Sequence, residues 1–185
     1  MPGRRMGIWL VNPGLATVLS SQNLRNSGTI LGEVVDAKRV KQSVALAVTG
    51  RNDGSRVILV RRPVDDAEFP GLWGLPAASC RNGETPEQAA QRVGAHTLGV
   101  PLALGDVLAR GEQQRSGYVL NMTLFRARLV GQEPRLPSDH HEAGDAKAES
   151  STLYTGWRWG EPGELDDSAR KGSLCSQLLL AYDSR

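Results

Sequence analysis

Glu84 and Arg92 lie eight residues apart and are the first pair able to do chemistry. A carboxylate at 84 could touch a metal ion or a phosphate through its neighbour. It could equally form a salt bridge that fixes a loop onto a helix. The salt bridge is the favoured reading, because arginine pairs readily with carboxylates and metal chemistry needs more than one ligand. A second set is the arginines Arg61, Arg62, Arg110, Arg115, Arg126 and Arg128. Their planar guanidinium groups suit phosphate oxygens, although solvent-facing strand positions explain them more simply. Tyr118, Phe69 and Trp73 could stack on a planar ring, with core packing as the plainer role. His140, His141 and Glu142, with Asp139 and Asp145 nearby, offer metal-ligand types, but in a polar stretch that reads as a solvated loop. Cys80 and His96 would make a nucleophile and base only if a loop folded over a helix, and a packed cysteine requires less. No glycine-rich phosphate loop of the Walker or Rossmann type is present.

Those residues need elements to hold them. Ser43 to Thr49 is a short apolar run that reads as a buried strand, ended by the turn Gly50-Arg51-Asn52-Asp53-Gly54. Arg56 to Arg62 is a β-branched second strand, expected to pair with the first as a hairpin. An acidic loop, Val64 to Gly71, follows. Thr85-Pro86-Glu87-Gln88 is a helix start, with Thr85 as cap, Pro86 in the first turn and Gln88 closing a capping box. That helix is expected to run to about Thr97, with Gly99 stopping it. Leu102 to Leu108 and Gly117 to Leu129 read as strands joined by a polar loop, Gly111 to Ser116. Arg126 and Arg128 then share one sheet face. Pro134 to Ser151 reads as an irregular, mobile loop. Leu153 to Trp159 is an aromatic strand, and Asp167 to Tyr182 a closing helix with Gly172 as a weak point.

Composition sets limits on function. A 39% hydrophobic and 23% charged chain of 185 residues is ordinary for one globular domain with extensions. The net charge of +2 is too small to require nucleic acid or an acidic membrane. No apolar run approaches the roughly 20 residues of a membrane span. Cys80 and Cys175 have neither zinc nor disulfide spacing, so a reducing cytoplasm is expected. Near the N-terminus, Arg4 and Arg5 precede an apolar stretch that Asn12-Pro13-Gly14 interrupts, and no A-x-A pattern follows. Residues 1–40 are therefore expected to form a partly disordered extension, with one strand near Ile30 to Val35, ahead of a folded unit at 41–185. Met6 is an alternative start to Met1.

The stretch Leu75 to Val100 resembles the signature segment of the Nudix hydrolase family. The family pattern runs Gly, five residues, Glu, seven residues, Arg-Glu, an aliphatic, any residue, Glu-Glu, any residue, Gly, aliphatic. Glu84, Arg92, Gly99 and Val100 stand in register with it. Pro70 to Pro76 resembles the strand that precedes it, and with Trp157-Arg158-Trp159 the likeness spans roughly 43 to 182. Departures fall on the chemistry. Ala78 replaces the first glycine, Val93 the glutamate after the arginine, Gly94 the aliphatic, and His96 and Thr97 the paired glutamates. Residues 93, 96 and 97 would share one helix face at i, i+3 and i+4. Three carboxylates there would hold magnesium, which takes oxygen ligands in octahedral geometry. Valine offers no ligand, threonine only a hydroxyl, and imidazole suits zinc better. Gly94 adds about 1 kcal/mol of helix cost relative to alanine.

The resemblance implies an α/β/α sandwich with a mixed β-sheet, the signature helix on one side and the terminal helix on the other. It leads us to expect a degenerate member that binds a nucleotide or other pyrophosphate-type ligand without magnesium-dependent hydrolysis. No cofactor and no metal are expected, and Arg61, Arg62, Glu84, Arg92 and Tyr118 would line the old pocket. One alternative is a divergent hydrolase of a nucleoside diphosphate linked to another moiety. It would use magnesium held by carboxylates from Glu84, Glu87, Glu112 and Glu142. Another is a non-catalytic protein-interaction module. A small nucleotide-like ligand is the expected partner, with no specific nucleic acid and no membrane, and a homodimer is left open.

Overall fold

A computed structural model of the chain describes residues 39–50, 54–136 and 154–185. Its centre is β1, Arg39–Thr49, in which six consecutive residues from Ser43 to Val48 are buried. Continuous burial means that both faces of the strand are covered. Val44, Leu46 and Val48 pack with one layer, and Ala45 and Ala47 with the other. β1 runs parallel to β6, Tyr118–Leu129, from the pair Arg39 and Tyr118 to the pair Thr49 and Arg128. It is antiparallel to β2, Val57–Arg61, at the pair Thr49 and Val57, and to β4, Ala77–Ser79. β3, Trp73–Gly74, and β7, Gly156–Gly160, both pair with β2. β5, Leu102–Arg115, pairs with β6 and ends the order β3-β2-β1-β6-β5. The expected mixed-sheet sandwich is the fold found.

One face carries α1, Pro86–Arg92, whose Ala89 and Ala90 share a core with Val44, Leu46 and Phe125. The capping box is formed as the sequence predicts. Thr85 Oγ1 accepts from the Gln88 amide at 3.2 Å, and Gln88 Oε1 from the Thr85 amide at 2.9 Å. The α-helix stops earlier than expected. Val93–Thr97 is a π-helical turn closed by the Leu98 amide on Val93 O at 3.0 Å. Gly94 explains part of this. A Cβ there would lie 2.9 Å from Leu102 Cγ, so the bare glycine lets β5 close onto the turn. Its role is close packing, which the expectation of a merely weakened helix missed.

The other face carries the C-terminal elements, and the expected single helix is three pieces. A 3-10 turn at Pro162–Leu165 leads into α2, Asp166–Arg170, and then α3, Leu174–Asp183. Gly172, at φ 93°, makes the break. Three buried hydroxyls bind the corner: Ser168 Oγ and Ser176 Oγ lie 2.9 Å apart, and Ser176 donates to Ser173 Oγ at 3.1 Å. The expected polar loop at Gly111 to Ser116 is also corrected. β5 continues to Arg115, and only Ser116 and Gly117 turn. Its polar side chains sit on an outer strand, opposite apolar partners such as Leu120 and Val119. The β5–β6 register shifts between Leu104 and Val107 and again between Val107 and Ala109.

β1 opens at Arg39, two residues before the folded unit was expected to begin. The expected strand near Ile30 lies outside the described residues, as does the expected loop from residue 137 onward. Among the described residues no helix is long and apolar enough to cross a membrane.

Tyr154 ties β4 to this frame. Its hydroxyl accepts from the Ala77 amide at 3.1 Å and donates to Ala77 O at 3.3 Å. Burial pushes its phenol up to about 12, so it stays neutral and keeps the proton it donates. Tyr154→Phe would leave both backbone groups of Ala77 without that partner in the interior. The expected loss is about 2 kcal/mol of unfolding free energy, read from urea titration. An unchanged midpoint would show that water replaces the hydroxyl.

Candidate functional site

β4 delivers the chain into the loop that leads to α1, and Glu84 and Arg92 lock that loop. Arg92 Nε donates to Glu84 Oε1 and Nη2 to Glu84 Oε2, both at 2.8 Å. The Arg81 amide donates to Oε2 at 2.8 Å, and Arg92 Nη2 also reaches Ser79 O at 2.9 Å. Both side chains are only 13% exposed. The Arg92 hydrogen bonds, helped by the Arg81 amide, hold the Glu84 carboxyl down at about 2. Its charge and both oxygens are spent on joining β4, loop and helix.

The residues after Arg92 separate. Val93 is fully buried in the core and Thr97 is 6% exposed, while His96 faces solvent. The expectation that 93, 96 and 97 share one face is therefore corrected. It assumed α-helical spacing, and the π turn rotates His96 away from the other two. These side chains do not fit a magnesium ion: one has no donor, one a neutral hydroxyl, and one an imidazole pointing elsewhere. Glu87 is exposed on the first turn of α1 and Glu112 is exposed on β5. Glu142, with the His140 and His141 cluster, lies outside the described residues. Among the described residues, no group of three or more His, Cys, Asp or Glu side chains is placed to hold a metal. Burial, with the Glu84 charge adding, pushes the Cys80 thiol up and away from nucleophilic thiolate.

Two adjoining cavities lie where β1 and β6 begin. The larger, about 770 Å³, is lined by Arg39, Lys41, Ser79, Arg81, Glu84 and Tyr118 among others. The smaller, about 210 Å³, includes Lys41, Arg62, Glu68, Phe69, Arg115 and Tyr118. Tyr118 and Lys41 belong to both, with Lys41 Nζ 5.7 Å from the Tyr118 ring centre. The acidic loop builds one wall. Asp66 Oδ1 accepts the Glu68 and Phe69 amides, and Asp66 Oδ2 accepts Arg62 Nη1 at 2.9 Å. Phe69 is thereby placed beside Arg62 and Arg115, whose guanidinium carbons lie 5.5 and 5.8 Å from its centre.

Of the residues expected at the pocket, Arg62, Glu84 and Tyr118 line these cavities. Arg92 stands behind Glu84. Arg61 is exposed, donates to Gly71 O at 3.3 Å, and lines neither. Arg126 reaches the Tyr182 hydroxyl at 2.9 Å, away from both cavities. Trp73 lies under Arg158, 4.6 Å from ring centre to guanidinium. Sequence reasoning missed Arg39, Lys41 and Arg81. Arg39 and Lys41 alternate just ahead of the apolar part of β1, and treating 1–40 as a lead-in hid that period of two.

The NUDIX domain model matches residues 40–171. No curated protein matches the chain. Among solved structures, a MutT protein from Methanosarcina mazei Go1 superposes with a TM-score of 0.58 at 14% identity, covering 80% of this chain and 96% of that one. A NUDIX hydrolase from Nitrosomonas europaea gives 0.60 at 15%, covering 79% and 90%. An Ap4A hydrolase from C. elegans, solved as a binary complex, gives 0.56 at 16%, covering 78% and 96%. At these identities the likeness is one of fold.

Proposed function

Because this chain belongs to the Nudix family, we propose that it binds a nucleotide or another pyrophosphate-type anion and does not hydrolyse it through magnesium. The larger cavity supports this reading. Arg39, Lys41 and Arg81 line it, while its one carboxylate, Glu84, is held by Arg92. The excess of positive charge suits phosphate oxygens, and Tyr118 offers a ring beside them. The side chains at 93, 96 and 97 support the second half of the reading, since they bring no carboxylate to the place where the family pattern has three. The chain's own residues would bind and orient the ligand, and among the described residues no carboxylate cluster stands ready to activate water through a dication.

Thermal melts of the full chain with ADP, ADP-ribose and diadenosine tetraphosphate test the reading; the last follows from the substrate named for one structural neighbour. A ligand present at about 100 times its Kd should add about 2.7 kcal/mol of stability. We expect the upward shift of Tm to persist in EDTA and to weaken at high salt, where exposed charges are screened. Magnesium-dependent release of phosphate or of a nucleoside monophosphate would overturn the proposal in favour of the hydrolase. No shift with any of the three would leave a protein-interaction module.

A further inference from the structure

The smaller cavity is itself built for negative charge. Lys41, Arg62 and Arg115 line it against one carboxylate, that of Glu68, whose residue is exposed. Among the described residues, Arg62 spends only Nη1, on Asp66. Among the described residues, Arg115 spends only Nη2, on Gly172 O at 2.9 Å, and its Nε is buried without a hydrogen-bond partner. Phe69 holds both guanidinium groups on its faces, which limits how they can turn. The two cavities share Lys41, Ser79 and Tyr118, so one molecule can reach both.

We infer that the ligand carries two separate anionic groups, one held by Arg39, Lys41 and Arg81, the other, a carboxylate or phosphate, held between Arg62 and Arg115. The inference rests on the proposed nucleotide binding and names the class within it. A carboxylate and a phosphate present the same oxygen chemistry to guanidinium, so two matched pairs of ligands separate them. UDP-glucose and UDP-glucuronate differ by a carboxylate; adenosine 5′-monophosphate and adenosine 3′,5′-bisphosphate differ by a phosphate.

Isothermal titration of the full chain with all four should show the doubly anionic member of one pair binding about tenfold more tightly, the worth of one charge-assisted hydrogen bond. Which pair shows the gain identifies the second group. Arg115→Gln should abolish the difference within that pair, and Arg62→Gln provides the same reading should the first variant fold poorly. Equal affinities within both pairs overturn the inference while binding of the singly anionic members keeps the nucleotide proposal. Absence of binding by all four overturns the inference, and overturns the nucleotide proposal as well when ADP, ADP-ribose and diadenosine tetraphosphate also leave the Tm unmoved.

Discussion

Arg92→Met will lower the unfolding free energy by about 3 kcal/mol, the cost of stripping one partner from a mostly buried ion pair. The loss is large because three hydrogen bonds go together. Two belong to Glu84 and one to Ser79 O, so β4, the loop and α1 lose a common fastener. The stranded Glu84 carboxylate then keeps only the Arg81 amide. Removing both charges in Glu84→Leu with Arg92→Met should recover part of the loss, since no unpaired charge remains. A double-mutant cycle in urea measures the coupling. A pH titration checks the same interaction. The folded-state pKa of Glu84 lies at about 2, below the ordinary 4.5. The stabilisation is therefore complete above pH 4.5 and is lost as pH falls from there towards about 2. Glu84→Gln should flatten the acid limb of stability in that window. An acid limb identical to that of the unmodified chain would mean that the pair contributes nothing.

Gly99→Ala is expected to destabilise by a similar amount, about 3 kcal/mol, from two sources that add. Gly99 has φ 66°, a region that costs any residue with a Cβ. A Cβ would also stand 2.3 Å from Arg135 O, where backbone must move. The neighbouring Arg135 amide donates to Leu98 O at 2.8 Å, so movement there strains the tie between the π turn and the segment after β6. Gly83→Ala is the control: it shares a positive φ of 77° but has open space around it, so only the backbone cost applies. Equal losses in both would show that the approach of Arg135 is unimportant. Chemical denaturation of the two variants decides.

The sequence made the fold legible because its strongest signals were local and mutually consistent. The apolar run from Val44 to Val48 maps onto the buried part of β1, and the capping box at Thr85 and Gln88 and the breaking glycine at 172 map onto observed boundaries. What was hidden depended on partners distant in sequence. Gly111 to Arg115 looks like a loop because it is polar, but β6 pairs it into the sheet residue by residue. The π turn arises where Leu102 presses on Gly94, a contact that no helical period announces. The link between Glu84 and Arg92 was readable from their spacing. Arg115, one of six arginines of similar promise, could not be singled out, because its place beside Phe69 follows from the turn that Asp66 makes.

The irregular pairing near Leu104 to Ala109 has a consequence for solubility. β5 closes one end of the strand order and would offer a long row of unpaired amides and carbonyls to any passing chain. Two successive slips kink that row, and the exposed Asp106, Arg110 and Glu112 set charges along it. A flat template for fibril growth is thus denied.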